Sequence, residues 1–128
     1  MAIKLVIVDD APFIREVLHH IFAPTEISIV GEARDGLEAV EIARKTKPHV
    51  ILMDLVMPKM SGIEATTRIM KELPGTRIIA CSTIDQNNMV LRALDAGCCH
   101  YITKPFKAEE VLQAVRAAAR TNPKEAGT

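Results

Sequence analysis

Five short apolar runs recur along the chain at roughly even intervals. Each is four to six residues long and rich in isoleucine and valine: Ile3–Val8, Ile27–Val30, Val50–Met53, Ile78–Cys81 and Cys99–Ile102. Apolar runs of this length, without the polar alternation of a half-exposed strand, are typical of strands that helices cover on both faces. The pattern therefore predicts five buried strands.

The segments between these runs carry helical signals. Apolar residues recur at helical spacing in the first and last of five such segments: Ile14, Val17, Leu18 and Ile21, then Val111, Leu112, Val115 and Ala118. Asp35 and Glu38 have the spacing of a capping box, which starts a helix, and Asp85 is expected to cap the fourth helix. Strict alternation of five strands with five helices predicts an α/β fold with helices on both faces of a parallel sheet.

Composition narrows the class of protein. A chain of 128 residues corresponds to one compact domain. Sixteen Lys and Arg residues balance sixteen Asp and Glu residues, and this neutrality argues against a nucleic-acid partner, which normally requires a basic face. No apolar run approaches the roughly 18 residues that span a bilayer. Three cysteines, two of them adjacent, fit a reducing compartment, so we expect a cytoplasmic protein.

Polar residues follow four of the predicted strands within one or two positions: Asp9 and Asp10, Asp54, Ser82, and Lys104. Each alone has an ordinary explanation, because an acidic residue after a strand commonly starts a turn or a helix. If these strands are neighbours in the sheet, three carboxylates, a hydroxyl and an ammonium group lie together at its carboxyl edge, where ligands of open α/β sheets bind. Three adjacent carboxylates require a counter-charge, and an oxygen-rich cluster suits Mg²⁺ or Mn²⁺.

An aspartate beside a divalent cation and a lysine is a workable phosphoryl acceptor. Its carboxylate can act as a nucleophile and form an acyl phosphate. In phosphoryl transfer the protein contributes mainly position and charge neutralisation. The cluster therefore favours phosphoryl chemistry on an aspartate side chain.

Four motifs follow one another in a characteristic order. They are Val8-Asp9-Asp10; Met53-Asp54-Leu55-Val56-Met57-Pro58 with Gly62; Ser82; and Tyr101-Ile102-Thr103-Lys104-Pro105-Phe106. In this order and spacing the chain resembles a response-regulator receiver domain over nearly its whole length, and it is similar to the stand-alone chemotaxis type. The resemblance implies a flavodoxin-like, doubly wound sheet of five parallel strands in the order 2-1-3-4-5 with five helices.

The resemblance also implies a role for each acidic residue. Asp54 is expected to be the phosphoacceptor and, with Asp10, a direct ligand of Mg²⁺ (or Mn²⁺). The backbone carbonyl of Val56 would be the third protein ligand. Asp9 would contact the ion through a water molecule.

Further roles are implied for three residues outside the acidic cluster. Lys104 would pair with Asp54 at rest and with the phosphoryl group afterwards, and Ser82 would bind a phosphoryl oxygen. Tyr101 would be the switch aromatic, which swings inward when Ser82 moves toward the phosphate. From the residues alone, a single tyrosine in an edge strand is more often a rim residue with a free hydroxyl. The Lys104–Pro105 peptide bond is expected to be cis.

The implied function is signalling. A histidine kinase would phosphorylate Asp54, and the protein would dock to a partner, such as a flagellar motor switch in chemotaxis, through its fourth helix, fifth strand and fifth helix. The alternative is a phosphorelay intermediate that passes the phosphoryl group to a histidine phosphotransferase. We expect a monomer that is not an enzyme beyond catalysing its own phosphorylation and dephosphorylation. Residues 1–121 would form the receiver domain and 122–128 a short flexible tail, with no output domain.

Two other classes share parts of this pattern. A phosphatase of the haloacid-dehalogenase type also uses an aspartate nucleophile and Mg²⁺, but it needs an Asp-x-Asp motif after the first strand. A flavodoxin-like flavin binder needs a hydroxyl- and glycine-rich phosphate loop there. The segment Asp9-Asp10-Ala11-Pro12 meets neither requirement.

The chain departs from the family pattern at three positions. Thr83 follows the switch hydroxyl where the family mostly has Ala or Gly, which predicts a narrower approach and slower phosphorylation by small-molecule donors. Val56 and Ile84 lie two residues past Asp54 and Ser82 and are apolar. Neither can orient a hydrolytic water molecule, which predicts a long-lived phosphoryl group.

Overall fold

The computed structural model describes residues 2–83 and 85–120, and strands and helices alternate throughout. The elements are β1 (Ile3–Val8), α1 (Pro12–Phe22), β2 (Ile27–Ala33), α2 (Gly36–Thr46), β3 (Val50–Asp54), α3 (Gly62–Glu72), β4 (Arg77–Ser82), α4 (Asn87–Ala96), β5 (His100–Thr103) and α5 (Ala108–Arg120). All strand pairs are parallel, and the sheet order is β2-β1-β3-β4-β5. The predicted fold class and strand order are therefore confirmed.

The strand boundaries differ from the apolar runs. β2 continues past Val30 to Ala33, because its backbone pairs with β1 along the whole of that strand, with an irregularity between Leu5 and Val6. β5 begins at His100 rather than at Cys99. Pairing uses backbone groups that every residue carries, so hydropathy locates a strand but not its ends.

The side chain of Asp35 caps α2, as the sequence predicts. Its Oδ1 accepts a hydrogen bond from the backbone N–H of Glu38 at 2.9 Å. The prediction that Asp85 caps α4 is wrong. The residue before that helix is Gln86, which makes no side-chain cap, and the Asp85 carboxylate instead accepts a hydrogen bond from the hydroxyl of Thr83.

Two hydrophobic cores lie on opposite faces of the sheet. One joins the sheet to α1 and α5 through residues that include Leu18, Phe22, Val111, Val115 and Ala118. The other joins it to α2, α3 and α4 through residues that include Val40, Ala43, Ala65, Ile69 and Ala93. Covered on both faces, the sheet leaves its carboxyl edge as the natural place for polar groups.

The cysteines are free, and two of them are core residues. Cys81 and Cys98 are buried and Cys99 is half-buried. Burial raises the pKa of the Cys98 thiol to about 11 and raises that of Cys81 further, so both stay protonated at neutral pH. Among the described residues, no helix combines the length and the apolar character needed to cross a bilayer. The tail predicted for residues 122–128 lies outside the described residues.

Candidate functional site

The candidate residues come from the carboxyl ends of four adjacent strands. β1 leads into Asp9, β3 ends at Asp54, β4 ends at Ser82, and β5 leads into Lys104. Because these strands are neighbours and parallel, their carboxyl ends meet at one edge of the sheet. The structure thus brings the predicted site residues of these four strands to one place.

Three carboxylates form the centre of this site. One side-chain oxygen from each of Asp9, Asp10 and Asp54 lies within 4.8 Å of the others. Asp9 and Asp54 are buried, with exposed fractions of 2% and 5%, whereas Asp10 is exposed. Two of the acids in the site, Asp9 and Asp54, are therefore shielded from solvent, and the third, Asp10, faces it.

Lys104 supplies the counter-charge. Its Nζ donates a hydrogen bond to Asp9 Oδ2 at 2.7 Å and forms an ion pair with Asp54 Oδ1 at 3.4 Å. The resemblance implies the pairing with Asp54, but Asp9 is the nearer partner. Burial opposes the charge of the ammonium group, yet the hydrogen bond to Asp9 and the charges of Asp54 and Asp9 outweigh it and raise the pKa of Lys104.

Asp54 has an unusual proton affinity for an aspartate. Burial and, after it, the negative charge of Asp9 raise the pKa of Asp54 from 3.8 to about 6, although Lys104 opposes the shift. Burial disfavours the charged form of an acid, and a neighbouring like charge does the same. At neutral pH Asp54 is still mostly ionised, which is the form a nucleophile requires.

The donor set fits a hard divalent cation. Three carboxylates lie together, and among the residues that the structure describes the ammonium group of Lys104 is the one cation in contact with them, so it balances only part of their charge. Carboxylate oxygens are the protein ligands that Mg²⁺ and Mn²⁺ prefer. The residues that could hold such an ion are Asp9, Asp10 and Asp54.

The loop between β3 and α3 is anchored close to these acids. The backbone N–H of Val56 points to Asp54 Oδ1 at 3.4 Å, and the Val56 side chain is 48% exposed. Further along, the Met60 carbonyl accepts a hydrogen bond from the Gly36 N–H at 3.0 Å. The loop that carries the Val56 carbonyl is thereby tied to the start of α2.

Ser82 is held next to Lys104 through the backbone. Its carbonyl accepts a hydrogen bond from the Lys104 N–H at 2.7 Å, and its side chain is buried. Beyond it, the N–H of Thr83 donates to the Gln86 side chain at 2.9 Å, and Thr83 itself is exposed. Ile84 lies outside the described residues.

Tyr101 lies apart from the acidic cluster, on the edge strand. Its side chain is 46% exposed, and its ring centroid lies 5.7 Å from that of His100. In this conformation it occupies the outward position of a rim residue. The Lys104–Pro105 peptide bond is cis, as the resemblance implies.

One residue that contacts the site was missed by sequence reasoning. The guanidinium of Arg15 donates a hydrogen bond from Nη1 to the backbone carbonyl of Asp9 at 2.6 Å. An arginine on the first helix carries no signal of this contact, because the acceptor is a backbone atom that has no sequence signature.

Comparison with known proteins agrees with this geometry. A family model described as the response regulator receiver domain matches residues 5–116. The chemotaxis protein CheY of Listeria monocytogenes is 41% identical over 118 residues, which cover 92% of this chain and 99% of CheY. The crystal structure of the response regulator domain of Thermotoga maritima CheB has a TM-score of 0.87 and 38% identity, and the match covers 96% of this chain and all of that one.

A further solved structure shares the fold at 30% identity. It is the CheX–CheY–BeF3–Mg complex from Borrelia burgdorferi, with a TM-score of 0.86 and coverage of 93% of this chain and 90% of that chain. The family match, the relatives and the strand order all lead to one assignment. The chain belongs to the response-regulator receiver domain family and is CheY-like.

Proposed function

We propose that this receiver domain accepts a phosphoryl group on Asp54 from a phosphohistidine of a histidine kinase, in a reaction that depends on Mg²⁺. One observation supports this most directly. Asp54 is a buried carboxylate at a strand end, it faces two further acids, and an ammonium group lies 3.4 Å from its Oδ1. A lone turn-forming aspartate would need none of these neighbours.

The step requires an ionised acceptor and a neutralised phosphoryl group. A carboxylate oxygen of Asp54 attacks phosphorus, the P–N bond of the phosphohistidine breaks, and the imidazole takes up a proton as it leaves. Lys104 already lies beside Asp54 and can follow the charge from the carboxylate to the phosphoryl oxygens. Mg²⁺, when held by the acidic residues, would supply further charge neutralisation.

The proposed metal ligands are Asp10, Asp54 and the carbonyl of Val56, with Asp9 acting through water. The crowding of the acids supports this role, since like charges at this separation repel one another by roughly 1–4 kcal/mol per pair. The Borrelia CheY relative was solved as a complex with Mg and BeF3. Mn²⁺ is the alternative ion.

The output is proposed to be docking. Phosphorylation would draw the Ser82 hydroxyl toward the phosphoryl group and shift Tyr101 between outward and inward positions. The surface formed by α4, β5 and α5, which we call the α4–β5–α5 face, would then change its affinity for a partner. Leu91 and Tyr101, with exposed fractions of 64% and 46%, give this face apolar contact area.

Chemotaxis is the pathway that we propose, in the cytoplasm and with a flagellar motor switch as the partner. The support is the similarity to CheY, which spans almost the full length of both chains. The protein would not be an enzyme acting on other substrates, because the groups assembled here serve its own modification.

The decisive experiment is Mg²⁺-dependent phosphorylation of the full chain by purified histidine kinases and by acetyl phosphate. Asp54→Asn should abolish incorporation, whereas Asp95→Asn, an exposed acid on α4, should leave it unchanged. Unchanged incorporation in Asp54→Asn would refute the site assignment.

Partner capture with and without beryllofluoride then tests the output. Beryllofluoride-dependent binding of a motor-switch protein supports the chemotaxis function. Transfer of the phosphoryl group from the domain to a purified histidine phosphotransferase would instead support a phosphorelay and overturn that proposal.

A further inference from the structure

Asp10 is held in a different way from the two other acids. Asp9 and Asp54 both contact Lys104, but among the described residues the carboxylate of Asp10 has no hydrogen-bond or ion-pair partner. Its position therefore depends on the backbone that carries it. That backbone is the loop from Asp9 to Ala11 between β1 and α1.

The start of α1 contributes little to fixing this loop. The residue at its N-cap is Ala11, which has no side-chain acceptor, and Pro12 at the first helical position has no N–H to donate. The Ala11 N–H is used by the carboxylate of Asp9, at 2.9 Å from Oδ1. The carbonyl of Asp9, in a residue only 2% exposed, is left in need of a donor.

Arg15 is that donor. Its Nη1 lies 2.6 Å from the Asp9 carbonyl oxygen, which belongs to the peptide group that joins Asp9 to Asp10. Its Nε pairs with Glu32 Oε1 on β2 at 3.1 Å, and the side chain is only 15% exposed. A planar guanidinium anchored at both ends has a fixed orientation, which a lysine cannot reproduce.

We propose that Arg15 is a positioning residue. By clamping the Asp9–Asp10 peptide group it fixes the Asp10 carboxylate in the acidic cluster, and it thereby raises the affinity of the cluster for a divalent cation. This inference rests on the proposed function in so far as the cluster binds Mg²⁺.

The sign of the effect separates positioning from electrostatics. Arg15 is a cation near the proposed cation site, so its charge alone weakens Mg²⁺ binding, and its removal would tighten binding. If Arg15 positions Asp10, its removal weakens binding despite the loss of that positive charge. The two explanations therefore predict opposite changes.

The test is calorimetric titration of the full chain with Mg²⁺. Arg15→Gln should weaken binding by about 10-fold, the usual scale for loss of a group that orients a ligand. The Mg²⁺ affinity of Arg15→Lys should lie between those of Arg15→Gln and the parent. Arg92 is an exposed arginine on α4, and Arg92→Gln should bind Mg²⁺ as tightly as the parent. Equal or tighter binding by Arg15→Gln would overturn the proposal.

A second measurement needs no metal. Amide hydrogen exchange at Asp10 and Ala11 should be faster in Arg15→Gln than in the parent, and unchanged in Arg92→Gln. Unchanged exchange would show that Arg15 does not hold the Asp9–Asp10 peptide group in place. If Arg15→Gln does not fold, the same comparison is made with Arg15→Lys. If the parent binds no Mg²⁺, the proposed function fails, while the exchange measurement still decides whether Arg15 holds the loop.

Discussion

Gly62 packs directly against the backbone of Asp54. A Cβ atom at position 62 would overlap the carbonyl oxygen of Asp54 and would lie 2.9 Å from the Cα of Leu55. The Gly62 N–H also donates to the Leu55 carbonyl at 3.2 Å. Gly62, the first residue of α3, therefore packs against the main chain of Asp54, the proposed phosphoacceptor.

Gly62→Ala should destabilise the domain because the obstacle is backbone that cannot move aside. We expect a loss of about 1–3 kcal/mol in the free energy of unfolding, measured with urea. Gly75→Ala is the matched control, because nothing lies within 4 Å of a Cβ there. That control should be neutral or gain up to about 1 kcal/mol. Equal stability of the two variants would contradict the packing described.

Asp54→Asn should raise stability at neutral pH in the absence of metal. The pKa of Asp54 is raised from 3.8 to about 6, so the folded state binds its proton more tightly than the unfolded chain does. The contribution of this carboxyl is therefore most favourable below pH 4 and is lost as the pH rises through 6, at a cost of up to about 3 kcal/mol. Asparagine has no proton to lose.

The measurement is urea unfolding of both proteins in EDTA between pH 4 and pH 7. The advantage of Asp54→Asn should grow across this range and be small at pH 4. Asp95→Asn, at an exposed position, should show no such trend. A difference that stays constant with pH would contradict the raised pKa of Asp54 in the folded protein.

Lys104→Met should destabilise the domain, and more at pH 7.5 than at pH 5. The substitution leaves two buried carboxylates without their counter-ion, a loss of about 3 kcal/mol. At the lower pH Asp54 can take up a proton and relieve part of the repulsion. In an Asp54→Asn background the same substitution should be less damaging, and a double-mutant cycle from unfolding data measures the difference. If the effects of the two substitutions on the free energy of unfolding are additive, the ion pair between Lys104 and Asp54 does not contribute to stability.

Thr83→Ala should accept a phosphoryl group from acetyl phosphate several-fold faster than the parent. Thr83 is exposed next to Ser82, and its hydroxyl is tied to Asp85, which holds the branched side chain in place. Thr83→Ser keeps the hydroxyl and removes the methyl group, so it should be intermediate. Identical initial rates in the parent and in Thr83→Ala would show that the Thr83 side chain does not restrict the access of acetyl phosphate to the site.

The phosphoryl group should persist for much longer than seconds when no phosphatase is present. Val56 is apolar and 48% exposed two residues past Asp54, so it offers no hydrogen bond to a hydrolytic water molecule. Val56→Gln should shorten the lifetime, as followed by loss of label after the donor is removed. A parent half-life of seconds would contradict this expectation.

Much of this architecture was predictable because it depends on side-chain character. The five apolar runs located the strands, and the rule that parallel strands end at one edge gathered Asp9, Asp54 and Lys104. What the sequence could not specify depends on backbone atoms and short distances. The sequence does not indicate that Lys104 lies nearer to Asp9 than to Asp54. Nor does it indicate the contact of Arg15, because the acceptor is a backbone carbonyl, a group that every residue has.

The failed cap of α4 has a similar origin. Asp85 has a side chain suited to an N-cap, but α4 begins two residues later, at Asn87. The Asp85 carboxylate instead accepts a hydrogen bond from the Thr83 hydroxyl. Whether the Asp85 carboxylate accepts a hydrogen bond from the helix or from Thr83 depends on the conformation of the loop. That conformation cannot be read from the residue types.

The ion pair between Lys104 and Asp9 joins residues 95 positions apart in the chain. During synthesis the acids of β1 and β3 leave the ribosome long before the lysine does, and they stay without it until β5 has paired with β4. A chain that ends early therefore has the acidic residues but not the cation that balances them. The complete site, with its ammonium group, can therefore form only in a chain that has been translated through Lys104.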